Sequence, residues 1–135
     1  MVEINVVYEG QLHCRVTHGP SGQSFMTDAP KDHDWEGRAF SPTDLVAAAL
    51  GTCMATVMGI VARRKQIDLA GVRVHVEKEM TAAPPRRIAS LATTITMPAR
   101  LRAEERTLLE RTALTCPVHQ SLHPDVQAPV RFVYE

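Results

Sequence analysis

A long stretch without charge near the middle of the sequence limits the folds that are open to this chain. No charged residue occurs at positions 45–62, a run long enough for about five turns of α-helix. Residues 41–44, Ser-Pro-Thr-Asp, supply an N-cap, a first-turn proline and an acid, and residues 63–65 put three cations at the other end. The pattern predicts one helix that is apolar around its whole circumference.

Such a helix must be covered on every side, by lipid or by protein. Its many alanine, glycine and threonine residues make it only weakly hydrophobic and it stands alone in mid-chain, so we do not expect it to cross a membrane. A chain of 135 residues has too little other material to surround it. We therefore expect a second copy of the chain to cover the helix.

The composition is that of an ordinary folded domain. Hydrophobic residues make up 44% and charged residues 22%, which favours a single domain over residues 1–135. The 15 basic and 15 acidic residues cancel, so no basic surface is expected for nucleic acid or for an anionic membrane. This balance favours a small molecule as the partner. The first ten residues read as a strand and not as an export signal, which predicts a cytoplasmic protein.

Alternation of apolar and polar residues predicts strands on both sides of the helix. Val72, Val74 and Val76 alternate with polar residues, the pattern of a strand with one wet face. The predicted elements are strands at 2–8, 11–17 and 24–27, a loop at 28–40, the long helix, strands from 72 and at 88–97, a helix at 102–116 ended by Pro117, and a strand at 130–134. The order βββ-α-ββ-α-β is that of an α+β fold.

Three cysteines occur in the sequence, and an odd number cannot all pair within one chain. Without an export signal, Cys14, Cys53 and Cys116 favour redox chemistry over structural disulfides. The alternative is that all three are small buried packing residues. Cys53 lies midway along the apolar helix, where burial alone would keep it protonated, so its reactivity requires a nearby cation or N–H donors.

Three sequence blocks occur together that are rarely combined. They are Phe-Ser-Pro-Thr-Asp-Leu at 40–45, Leu-Gly-Thr-Cys at 50–53 and Thr-Cys-Pro-Val at 115–118. In this combination the chain resembles the OsmC/Ohr family of osmotically inducible and organic hydroperoxide resistance proteins, in its OsmC-like branch. The resemblance covers almost the whole chain. It implies an intertwined homodimer with active sites at the subunit interface and a long buried central helix that carries Cys53.

The resemblance also implies a chemistry. Cys53 would attack an organic hydroperoxide and become a sulfenic acid, and Cys116 would condense with it to form a disulfide. An external thiol or a lipoyl-type reductant would then restore the dithiol. The cycle needs no cofactor.

Relatives in this family place an Arg and an acid over the reactive sulfur. Asp44 matches the acidic position, but nine residues of helix separate it from Cys53 by about 13 Å and turn it to the opposite face, so it is equally well interpreted as a helix cap. Arg38, just before the helix, is the best candidate for the cation, and Arg15 and His18 are the alternatives. Arg38 could also be an ordinary solvated loop residue.

Two other functions compete with the peroxidase. The same dimer could bind a small apolar ligand, or act as a redox sensor, without catalysis. The other alternative is a zinc-stabilised interaction domain, because Cys116, His119 and His123 have a spacing that could hold zinc. No local motif supplies a fourth ligand, so we predict no metal site. Cys14 has no counterpart in the family pattern and is interpreted as a packing residue.

Overall fold

The computed structural model describes residues 1–135 with the exception of the side chain of His33. Its internal contacts divide the chain into two compact units, Met1–Val46 and Ala47–Glu135. The order of elements is the predicted α+β order with two additions: a 3-10 helix at Lys31–His33, within the predicted loop, and a short α-helix described below. Whether the chain acts as one domain stays a prediction.

The first unit contains a three-stranded antiparallel meander. Strands β1 (Ile4–Gly10), β2 (His13–His18) and β3 (Ser24–Thr27) pair in the order β1-β2-β3, as the alternating pattern predicts. Gly19 closes the second turn, where its N–H donates to the carbonyl of Glu3 at 2.9 Å and a Cβ atom would stand 2.8 Å from that oxygen. Every residue of β1 before Gly10 is exposed, including several large apolar side chains.

The long helix α1 spans Pro42–Lys65. It begins where the capping residues predict and continues through the three cations, one turn beyond the uncharged segment. Within a single chain, burial follows one face only, which comprises Ala47, Leu50, Gly51, Met54, Met58 and Ala62. The remaining apolar surface is half-exposed or exposed because the chain has no further element with which to cover it.

By length and composition, α1 also meets the requirements of a membrane span, although only 33% of its most apolar stretch is buried within the chain. Core helices of globular proteins pass the same test, so this indication is weak. The expectation that the helix does not cross a membrane stays a prediction.

The second unit packs α1 on a three-stranded sheet. Strands β4 (Arg73–Met80) and β5 (Ile88–Met97) are antiparallel, and β6 (Val130–Tyr134) joins β5 in parallel. Side chains of β4 alternate between half-buried and exposed, as the Val72–Val76 pattern predicts. Fully buried Leu91 and Ile95 of β5 complete the core together with the inner face of α1.

The predicted end of the second helix was wrong. Helix α2 covers Ala103–Leu114, and a short helix α3 follows at Pro117–Ser121. Pro117 therefore begins a helix and does not terminate one, because a proline at the first helical position loses no backbone hydrogen bond. Cys116 lies between the two helices as the N-cap residue of α3.

Candidate functional site

Cys53 lies on α1 at a point where the helix approaches the sheet closely. Gly51 packs directly on β4, where a Cβ atom would stand 3.2 Å from Val76 Cγ2 and 3.4 Å from Val74 Cγ1. The absence of a side chain at this position lets the helix approach the strand. Cys53, two residues later, is half-buried and is a free thiol.

Cys116 is fully buried, with 0% of its surface exposed. Its backbone N–H donates to the carbonyl of Ala113 at 3.3 Å, and its sulfur accepts the backbone N–H of His119 at 3.4 Å. The turn between α2 and α3 thus fixes both the main chain and the side chain of this cysteine. The sequence correctly predicts an inward-facing Cys116, although its position in a helix-to-helix turn was not foreseen.

The thiols of Cys53 and Cys116 are close enough to interact by hydrogen bonding. Burial raises the pKa of Cys116, and the hydrogen bond with Cys53 raises it further, although backbone N–H groups of His119 and Val118 act in the opposite direction. Cys116 is therefore held as a neutral thiol that can donate its S–H to the neighbouring sulfur. Two free thiols, 63 positions apart in the sequence, form a pair of unequal exposure.

Asp44 takes part in the N-terminal cap of α1. Its carboxylate accepts the backbone N–H of Ser41 at 2.9 Å, and the Ser41 hydroxyl accepts the backbone N–H of Asp44 at 3.2 Å. This reciprocal pair is a capping box, the alternative that the sequence left open for Asp44. Its suggested role in orienting an arginine stays a prediction.

Arg38 lies in the loop between β3 and α1 and is held by three different residues. Its backbone N–H donates to the carboxylate of Asp28 at 2.9 Å, and its side-chain Nε stands 3.0 Å from Glu36 Oε2 and 3.7 Å from Asp28 Oδ2. Its Nη2 donates to Nε2 of His13 at 3.2 Å when that nitrogen is unprotonated. The side chain is nonetheless 55% exposed.

The alternatives to Arg38 are engaged elsewhere in the meander. Arg15 forms an ion pair with Glu9 across β1 and β2, and His18 contacts the Ser21 hydroxyl at 2.6 Å in the following turn. Cys14 is half-buried in β2, opposite Tyr8 on one side and Thr27 on the other. These positions fit ordinary roles in a sheet.

The sequence reading missed Asp28, the carboxylate that anchors Arg38. Asp28 is 1% exposed, although it stands in a polar stretch that the sequence predicts to be a solvated loop. It follows β3 directly, and its own backbone N–H donates to the carbonyl of Phe40 at 3.1 Å. No sequence signal distinguishes this aspartate from its exposed neighbours, because its burial depends on how the loop closes over it.

His119 and His123 line a shallow open groove of about 290 Å³ together with Leu122, Pro124 and Val126. Nδ1 of His123 accepts the backbone N–H of Asp125 at 3.1 Å. Among the described side chains, no group of three or more His, Cys, Asp or Glu is arranged to hold a metal ion. The Cys-His-His spacing is explained by the cap of α3 and the turn into β6.

Comparison with known proteins agrees with the fold and the sequence blocks. The profile of the family described as "OsmC-like protein" matches residues 35–130. A crystal structure from Psychrobacter arcticus, described as an osmotic stress induced and detoxification response protein, is 42% identical, with a TM-score of 0.90 over 98% of this chain and 96% of that one. No curated protein matches the chain in sequence.

Two more distant structures share the fold. The organic hydroperoxide resistance protein OsmC of Legionella pneumophila is 21% identical, with a TM-score of 0.76 over 98% of this chain and 96% of that one. The organic hydroperoxide resistance protein OhrB of Bacillus subtilis is 15% identical, with a TM-score of 0.69 over 98% and 97% of the two chains. The family profile and the 42% identical structure decide the assignment: this chain belongs to the OsmC-like family.

Proposed function

We propose that this protein is a thiol-dependent peroxidase that reduces organic hydroperoxides with Cys53 and Cys116. The observation that carries the proposal is the pairing of a half-buried thiol with a fully buried one whose pKa is raised by burial and by its neighbour. A peroxidase of this kind needs one accessible sulfur to meet the substrate and a second sulfur, protected from the substrate, to form the disulfide. Cys53 and Cys116 fit these two roles in that order.

In the first step, the thiolate of Cys53 attacks the distal oxygen of the hydroperoxide. The S–O bond forms as the O–O bond breaks, and the departing alkoxide takes up a proton to leave as an alcohol. Sulfur is oxidised by two electrons and the peroxide is reduced by two. Cys53 is left as a sulfenic acid.

In the second step, the sulfur of Cys116 attacks the sulfur of the sulfenic acid. The S–S bond forms as the S–O bond breaks, and the hydroxyl group leaves as water with the proton of the Cys116 thiol. An external dithiol or lipoyl-type reductant then supplies two electrons and two protons to restore both thiols. Free thiols of this kind are suited to a reducing compartment such as the cytoplasm.

We assign to Arg38 the cation that favours the thiolate of Cys53. The assignment rests on the family resemblance and on the position of Arg38 in the loop that leads into α1. Its exposed guanidinium retains donors that can stabilise a thiolate or bind a peroxide oxygen. Arg38→Ala should then move the pH dependence of Cys53 alkylation to higher pH and slow peroxide reduction at neutral pH.

We further propose that the working form is a homodimer. Apolar residues remain uncovered on the outer side of α1, such as Ile60 at 47% exposed, and along β1. A second copy of the chain would remove these surfaces from water. Sedimentation at micromolar concentration tests this directly, and a folded monomer would contradict it.

The peroxidase is tested by mass spectrometry after one equivalent of an organic hydroperoxide. The native chain should lose two hydrogens, and Cys53→Ser should neither react nor turn over. Cys116→Ser should accept one oxygen and stall as sulfenic or sulfinic acid. Cys14→Ser is the matched control, because it removes the third thiol and should leave both reactions unchanged.

Turnover by Cys53→Ser would refute the proposed function. Unmodified Cys53 after exposure of the native chain would instead favour a ligand-binding or sensing dimer of the same fold. If Cys116→Ser cycles normally with dithiols, Cys116 is not the resolving residue.

A further inference from the structure

A buried carboxylate lies at the point where β3 enters the loop at 28–40. Among the fully buried side chains that the structure describes, Asp28 is the acidic one, and it lies in the first unit together with Ala29, Arg38 and His13. A carboxylate in this position has lost its water and needs protein donors to replace it. The identity of those donors indicates what the residue holds in place.

Two backbone amides supply the shortest hydrogen bonds. Asp28 Oδ1 accepts the N–H of Ala29 at 2.9 Å, and Oδ2 accepts the N–H of Arg38 at 2.9 Å, ten residues further along the chain. One carboxylate therefore ties the two ends of the loop together. The indole N–H of Trp35 is buried against the same carboxylate without a hydrogen bond of good geometry to any described atom.

Charged and titratable groups complete the surroundings of the carboxylate. Arg38 Nε stands 3.7 Å from Oδ2, and His13 Nδ1 stands 3.6 Å from Oδ1. Burial alone would raise the pKa of Asp28, but the backbone hydrogen bonds from Arg38 and Ala29, with a smaller contribution from the Trp35 indole, outweigh it and lower the pKa. Asp28 is accordingly a buried anion at neutral pH.

His13 also contacts Arg38, through its second ring nitrogen. Its Nδ1 stands 3.1 Å from the carbonyl oxygen of Thr27, which places the ring proton on Nδ1 and leaves Nε2 as an acceptor. Arg38 Nη2 lies 3.2 Å from that Nε2. The backbone, the Nε and one terminal nitrogen of Arg38 are thus each directed by Asp28 or by a residue that contacts Asp28.

We propose that Asp28 is a positioning residue of the peroxidase, whose buried carboxylate fixes the backbone and guanidinium of Arg38 beside His13. The inference rests on the proposed function, in which Arg38 supplies the cation for Cys53. Long arginine side chains are costly to order, and a cation that is already oriented stabilises a developing charge better than a mobile one. Asp28 supplies this orientation without touching the substrate.

Glu36 provides a built-in comparison for this proposal. Its carboxylate is closer to Arg38 Nε, at 3.0 Å, than that of Asp28, but Glu36 is 65% exposed and the pair is screened by water. If proximity of charge were decisive, Glu36→Gln would cause the larger loss. If the buried anchor positions Arg38, Asp28→Asn causes the larger loss.

The test compares six proteins at matched concentration: native, Asp28→Asn, Glu36→Gln, Arg38→Ala, the double variant Asp28→Asn with Arg38→Ala, and the surface control Asp68→Asn. Rates of cumene hydroperoxide consumption and of Cys53 alkylation are measured across pH, with thermal unfolding as a check on folding. Asp28→Asn should slow peroxide consumption at pH 7 by about tenfold, within the range for a misplaced catalytic group, and Glu36→Gln by less than about twofold. Asp68→Asn, in an exposed pair with Arg100, is the control for a surface Asp→Asn change and should have no effect.

The pH profile separates positioning from loss of structure. Asp28→Asn should move the Cys53 alkylation profile to higher pH in the direction of the Arg38→Ala profile, with recovery of the rate at alkaline pH, which a merely destabilised protein would not show. In the Arg38→Ala background the Asp28 change should have no further effect on either rate. A profile for Asp28→Asn that coincides with the native one overturns the proposal, as does an additive double variant.

Failure of the inference is distinguishable from failure of the proposed function. If Arg38→Ala leaves the Cys53 profile unchanged, the cation assignment is refuted and the inference with it, whereas the mass-spectrometric test of the cysteines stands by itself. If Arg38→Ala shifts the profile and Asp28→Asn does not, only the inference fails. If Asp28→Asn does not fold, the native protein provides the test by NMR. The chemical shift of the Arg38 backbone amide must change as Asp28 is protonated in acid, and an unchanged shift refutes the hydrogen bond by which Asp28 holds Arg38.

Discussion

The fit of α1 on the sheet can be tested at the two glycines of the helix, only one of which faces the sheet. Gly51 packs on β4, where a Cβ atom would stand 3.2 Å from one valine methyl and 3.4 Å from another, whereas none of the described atoms lies within 4 Å of the Cβ position at Gly59. Ordinary carbon contacts are about 3.5 to 4.0 Å. Alanine at Gly51 therefore needs the neighbours to move by a few tenths of an ångström, and valine needs more room than the contact has.

The expected changes in the free energy of unfolding have opposite signs at the two sites. Gly59→Ala should stabilise the helix by up to about 1 kcal/mol, because alanine has less backbone freedom to lose on folding. Gly51→Val should destabilise by about 1 to 3 kcal/mol, the usual cost of overpacking a core. The two variants should thus differ by about 1 to 4 kcal/mol although both replace a glycine of the same helix.

Urea unfolding at fixed protein concentration measures this difference. The urea concentration at half unfolding reports the change in free energy of unfolding when the slope of that free energy against urea is unchanged. Gly51→Val should also slow disulfide formation between Cys53 and Cys116, because it moves the segment that carries Cys53. A Gly51→Val variant as stable as the native protein would refute the close approach of α1 to β4. Destabilisation by Gly59→Ala would mean that another surface covers that face, and a loss of the dimer in sedimentation would identify it as the second subunit.

Three further changes test other parts of the fold. Tyr134 donates to Glu110, and burial together with this carboxylate raises the pKa of Tyr134 from 10.0 to about 12. The folded state is therefore favoured below pH 10, and its free energy of unfolding falls by up to about 3 kcal/mol as the pH rises toward 12. Tyr134→Phe should flatten this alkaline fall, which urea titrations at several pH values measure. Asp44→Ala should cost about 1 kcal/mol through the helix cap and lower the melting temperature by about 3 °C, and an unchanged temperature would refute the capping role. Ala48→Asp places a charge on a half-buried face of α1 and should convert the dimer to monomer or unfold it in sedimentation experiments, so a stable dimer would contradict the covered helix.

Local patterns in the sequence predicted most elements because these elements depend on near neighbours. The Ser-Pro-Thr-Asp cap and the three terminal cations defined α1 to within one turn, alternation defined β4, and the Thr- and Ile-rich segment that Pro98 stops defined β5. The end of α2 was missed, because Pro117 signals either the end of one helix or the first turn of the next, and the two readings share the same residues. The inward direction of Cys116 followed from periodicity even though the helix stops two residues earlier.

The sequence by itself determined the α+β order, the apolar character of α1 and, through three short blocks, the family and its two key cysteines. Only the tertiary structure decided that one face of α1 is buried within a chain, that the thiols of Cys53 and Cys116 meet, and that Cys116 is the more deeply buried. It alone revealed Asp28, since the burial of a loop aspartate is set by residues that are distant in the sequence: the backbone donor of Arg38, ten residues away, and His13 across the meander. Pairwise contacts between distant residues depend on how the elements pack, and no local pattern in the chain carries that information.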